Sequence, residues 1–89
     1  MISDADFVRR VTGYLKQKRR DAGLTQKAVS AKFGFSSPQF VSNWERGLAL
    51  PPIYVMKELI PLYEIDREEF YQLMSTEMCR VLRQDLLLD

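Results

Sequence analysis

Gln26 and Gln39 are the side chains with the most usable chemistry in this chain, and that chemistry is hydrogen bonding. A glutamine amide can bond a phosphate oxygen, or pair with adenine in the major groove through one donor and one acceptor. Gln26 directly follows Thr25 and Gln39 comes two residues after Ser37, and the hydroxyl oxygen of each can accept from the free N–H groups of a helix's first turn. Lys27 and Ser36 stand beside these pairs, and Phe40, Ser42, Asn43 and Arg46 follow Gln39 closely. The residues of covalent or acid–base catalysis are missing. The sequence has no His, the commonest general base and metal ligand. It has no Gly-rich phosphate loop, and its acids are scattered rather than paired. No enzyme, metal or cofactor is expected.

Short helices are the elements that can position such side chains. The stretch 24–47 reads as two of them joined by a tight turn, one over about 26–33 and one over about 38–46. Val29 and Phe33 point inward from the first. Val41 and Trp44 point inward from the second, so that Gln39, Ser42, Asn43 and Arg46 share much of its opposite side. Pro38 suits a first helical position, and Gly34 and Gly47 close the two helices. The stretch has the form of a helix-turn-helix, whose second helix enters the groove.

The flanking segments are helical too. A first helix is expected from Asp4 to Ala22, with Ser3 or Asp4 as its cap and Phe7, Val8, Val11 and Leu15 on its inner side. Gly13 within it costs roughly 1 kcal/mol relative to Ala. A fourth helix starts near Pro52 and carries Val55, Met56, Leu59 and Ile60 inward, until Pro61 kinks or ends it. A last helix follows Asp66, with Glu69 at capping-box spacing, and runs from Arg67 to about Leu86. Phe70, Leu73, Met74, Met78, Val81, Leu82 and Leu86 form an apolar stripe along it.

Eighty-nine residues, 46% of them hydrophobic, suit a single folded unit with a modest core. Nothing alternates with period two, so the expected fold is all-α: a compact five-helix bundle with an extended C-terminal helix. The single Cys79 excludes an internal disulfide and is expected to be a small buried residue. MISDADF does not read as a signal peptide, and no segment approaches a membrane span, so a cytoplasmic protein is expected. Net charge is only +1, but its distribution is uneven. Residues 9–32 carry Arg9, Arg10, Lys16, Lys18, Arg19, Arg20, Lys27 and Lys32 against Asp21 alone, whereas acids outnumber bases after residue 66. The basic front suits either a phosphate-facing surface or a solvated helix face.

Residues 11–66 resemble the Cro/lambda-repressor-like (XRE) helix-turn-helix family. The resemblance rests on LKQKRRDAGLTQ at 15–26, then Gly34, then VSNWERG at 41–47 and Pro51. It implies a DNA-binding domain over 1–66, with Gln26 and Arg46 on backbone phosphates and Gln39 and Asn43 at base edges. It also implies a structural ion pair between Arg19 and Glu45. The chain departs from the family pattern in three places. The turn Gly34–Phe35–Ser36–Ser37 is one residue longer than usual, the loop Leu48–Ala49–Leu50 lacks basic residues, and Phe40 faces partly outward. Phe40 could meet a thymine methyl or stack, but packing on Phe35 is the expected role.

The expected protein is thus a sequence-specific transcriptional regulator, bound to double-stranded DNA as a homodimer. Its contacts would be Gln26, Lys27, Ser36, Ser37, Gln39, Phe40, Ser42, Asn43 and Arg46. The helix at 67–89 would dimerise through Phe70, Leu73, Met74, Met78, Val81, Leu82 and Leu86, although the same stripe could close its own core or meet another protein. The competing expectation is a protein-interaction module on the same scaffold.

Overall fold

The computed structural model describes residues 4–87, which fold into five helices. These are α1 (Ala5–Asp21), α2 (Gln26–Lys32), α3 (Gln39–Glu45), α4 (Ile53–Leu62) and α5 (Arg67–Asp85). The cap of α1 is Asp4, whose carboxylate accepts from Phe7 N at 2.7 Å; the other candidate, Ser3, lies outside the described residues. Thr25 caps α2 by accepting from Ala28 N at 3.0 Å. Helix α3 begins at Gln39, one residue later than expected, with Pro38 in the capping position and Ser37 Oγ accepting from Gln39 N at 3.3 Å.

The first four helices end alike. In each, an N–H two residues past the cap reaches back five residues: Leu24 to Arg19, Phe35 to Ser30, Leu48 to Asn43 and Ile65 to Ile60. This closure needs a left-handed residue just before that N–H. Gly34 supplies it in the turn between α2 and α3, at φ 74°. After α4 the position falls to Glu64, at φ 55°, a conformation that costs a side-chain-bearing residue roughly 1–2 kcal/mol. Pro61 is accommodated inside α4, one residue before the helix ends at Leu62. Gly13 has no packing role, because a Cβ there would meet nothing within 4 Å.

One core joins all five helices. Phe7, Val11 and Leu15 of α1 meet Val29, Val41, Trp44, Val55, Met56, Leu59, Tyr63 and Ile65, and α5 adds Phe70 and Val81. Polar contacts fasten α5 to α1. Glu77 is buried at 6% exposure and accepts from Arg10 at 3.3 Å and Arg80 at 3.0 Å. Arg80 also reaches Asp4 at 3.4 Å. At the other end of the helix pair, Glu69 accepts from the Tyr14 hydroxyl at 2.5 Å and from Lys18 at 3.2 Å. That hydroxyl and the lysine hold the Glu69 carboxyl below its ordinary range. The capping-box spacing at Asp66 is therefore only half used: Asp66 caps α5, while Glu69 turns to α1.

Cys79 is exposed, not buried. It lies two residues from Glu77, about 200° around the helix. A residue there faces away from α1 when Glu77 faces toward it.

Candidate nucleic-acid interface

The outer side of α3 carries a connected row of polar groups. Gln39 Nε2 donates to Asn43 Oδ1 at 2.7 Å, and Arg46 Nη2 donates to the same oxygen at 2.8 Å. Gln39 and Arg46 are exposed, while Ser42 and Asn43 are half-buried. Val41 and Trp44 on the inner side are buried, at 0% and 7% exposure. The helix is therefore anchored by one face and presents the other.

Gln26 belongs to a second network, which reaches α3 through Glu45. Its Nε2 donates to Glu45 Oε1 at 2.9 Å. Glu45 in turn accepts from Arg19 Nε at 2.6 Å and Nη2 at 2.9 Å, and Arg19 Nη1 donates to the Leu24 carbonyl at 2.7 Å. The hydrogen bond to Glu45 holds Arg19 more firmly protonated than an ordinary arginine. This network ties the end of α1, the start of α2 and the end of α3 into one unit, which fixes how α3 is presented.

The turn is built on aromatic packing. Phe35 stacks on Phe33 with ring centres 5.7 Å apart, meets Phe40 at 5.1 Å, and meets the edge of Trp44 at 6.1 Å. Phe40 thus folds back on Phe35, though it stays 56% exposed. Beside the turn, Lys27, Ser36 and Ser37 line a notch of about 170 Å³ with Ser30. Ser30 Oγ is buried and has no hydrogen-bond partner among the described residues.

A family model described as helix-turn-helix matches residues 15–70, more than half of the chain. The chain belongs to the Cro/lambda-repressor-like (XRE) helix-turn-helix family. This is a family of DNA-binding transcription regulators. The match spans α2, the turn and α3, and it ends at Phe70 inside α5. No curated protein and no solved structure matches the chain. Among the described residues, no helix is long and apolar enough to cross a membrane.

Within this helix-turn-helix protein, the charge split found in the sequence has a structural partner. Arg10 pairs with Glu77, Lys18 with Glu69, Arg19 with Glu45, and Arg9 with Asp6. Half of the basic front therefore answers acids of the protein itself. Among the described residues, Lys16, Arg20, Lys27 and Lys32 make no ion pair, and Lys27, Lys32 and Arg20 are exposed. Arg46 is the exposed cation at the end of α3 itself, bonded to Asn43. Arg46→Ala is expected to reduce the salt slope of DNA binding by about one, as loss of one phosphate contact would. Binding titrations over a range of salt measure it, and an unchanged slope removes Arg46 from the phosphate contacts.

The apolar stripe of α5 divides. Phe70 and Val81 are buried in the core of their own chain, and Leu73 and Met74 pack against it half-buried. Met78, Leu82 and Leu86 are exposed at 39%, 47% and 63%. Within the stripe, these last three present an apolar edge to solvent. Nothing in the sequence points to Glu77, whose partner Arg10 lies 67 residues away, or to Phe35 as the hub of the turn.

Proposed function

We propose that this protein is a sequence-specific transcriptional regulator that sets α3 in the major groove of double-stranded DNA. The observation that carries the reading is the open polar face of α3: exposed Gln39 and Arg46 flank Asn43 on a helix whose other face is locked into the core. In this reading Gln26, Lys27, Ser36, Ser37 and Arg46 hold phosphates, and Gln39 contacts a base edge with Ser42, Asn43 and Phe40 around it. The protein acts in the cytoplasm as a homodimer. Its seam is the edge Met78, Leu82 and Leu86, and Phe70, Leu73, Met74 and Val81 support that seam from within each monomer. A two-fold pair on DNA sets its recognition helices about 34 Å apart, one helical turn.

A second reading is favoured by one surface. The loop after Gly47 is uncharged, and Leu48, Ile53 and Tyr54 nearby are 65%, 69% and 67% exposed. Such a surface suits a protein partner, with DNA binding weak or lost.

Two measurements separate the readings. Labelled random duplex, titrated at low and moderate salt, binds a DNA regulator weakly and with salt sensitivity; absence of binding at both salts favours the interaction module. Gln39→Ala should then lose roughly 1–3 kcal/mol on the selected site and much less on random duplex. Equal losses on both would mean that Gln39 does not specify sequence.

A further inference from the structure

Asn43 Oδ1 accepts two hydrogen bonds, from Gln39 at 2.7 Å and from Arg46 at 2.8 Å. A carbonyl oxygen has two lone pairs, so this one has no acceptor capacity left. An asparagine that reads adenine must accept from the N6 amino group while it donates to N7. Asn43 held in this way cannot do so, because only its Nδ2 hydrogens remain. Gln39 is in the opposite condition. It has given one N–H to Asn43 and keeps Oε1 and a second N–H, the acceptor and donor that an adenine edge needs.

The polarity of the row has a single source. A guanidinium offers donors only, so Arg46 can face Asn43 only through Oδ1. That fixes which way the Asn43 amide is turned. Oδ1 then fixes Gln39 with Nε2 inward and Oε1 outward. Gln39 and Asn43 lie one turn apart on one helix face, with Gln39 exposed and Asn43 half-buried beside it. In water such bonds compete with solvent, but in a groove that excludes water the fixed orientation counts for more.

We propose that Asn43 is a positioning residue: anchored by Arg46, it orients the Gln39 amide toward adenine, and it does not read an adenine itself. This rests on the reading of α3 as the groove helix and names the base that helix prefers.

The test selects bound sequences from a randomised duplex pool with the wild type, Gln39→Ala, Asn43→Ala and Arg46→Lys. The wild type should enrich one adenine whose preference disappears in Gln39→Ala. Asn43→Ala should flatten that same position, about tenfold or more, and leave the other positions intact. Arg46→Lys, which keeps a donor-only group, should retain the preference. Loss of preference at a different base pair in Asn43→Ala overturns the proposal, as does a base other than adenine opposite Gln39. A wild type that enriches nothing overturns the groove reading and this proposal with it. The lock can be judged without DNA: in free protein, Asn43→Ala should shift the Gln39 side-chain amide resonances. Unmoved resonances overturn the lock even if DNA binding and selection are intact.

Discussion

Arg19→Met should unfold at a much lower urea concentration than the wild type, with about 3–5 kcal/mol of stability lost. The side chains of Arg19 and Glu45 are only 9% and 6% exposed, and they meet through two parallel hydrogen bonds of 2.6 and 2.9 Å. Removing the cation leaves a carboxylate that is out of water and, among the described residues, is held by the Gln26 amide alone. The Leu24 carbonyl loses its donor as well. The loss is thus mainly the cost of an uncompensated charge. A double variant tests that cause. Arg19→Met with Glu45→Leu removes both charges, and replacing a buried pair by apolar groups is often close to neutral. The double variant should therefore recover much of what the single variant loses. If it is no more stable than Arg19→Met alone, lost packing and the Leu24 carbonyl dominate instead. A single-variant loss below about 1 kcal/mol would class the pair with solvated surface bridges.

What the sequence made legible was local. Thr25 and Asp66 announce helix starts because a cap is a contact within three residues, whereas Ser37 falls one residue before the capping position, which Pro38 holds. Val41 and Trp44 mark the inner face of α3 because spacing on one helix fixes which side chains share a side. The family pattern added the pairing of Arg19 with Glu45. What stayed hidden depends on how helices meet. Period 3.6 finds an apolar stripe on α5, but it cannot tell which part α1 covers. Glu77 is buried because Arg10 and Arg80 flank it, and Arg10 lies 67 residues away. Cys79 is exposed for the same reason, being on the side that α1 does not touch. The charge split had two meanings that composition could not separate, and half of the basic front proves to serve the fold. Glu64 was invisible because only glycine or asparagine announces a left-handed residue.

Neighbouring substitutions on α5 should have opposite consequences. Val81→Asp is expected to destabilise the monomer by on the order of 4–5 kcal/mol, because it sets a carboxyl group where the side chain has 0% exposure. The position is unforgiving, since Val81 belongs to the buried core to which α1 contributes Phe7, Val11 and Leu15. Leu82, one residue on, points to solvent at 47% exposure. Leu82→Glu should change monomer stability by no more than about 0.5 kcal/mol, as surface substitutions do. If Met78, Leu82 and Leu86 form the seam between two copies, the same variant should reduce the mass in sedimentation from dimer to monomer. Urea titration and sedimentation of both variants read the two roles separately. A wild type that is already monomeric would end the seam while leaving α5 as the lid of the core. A Leu82→Glu loss as large as that of Val81→Asp would mean that folding and pairing of this chain are one event, as in obligate dimers whose monomers do not stand alone.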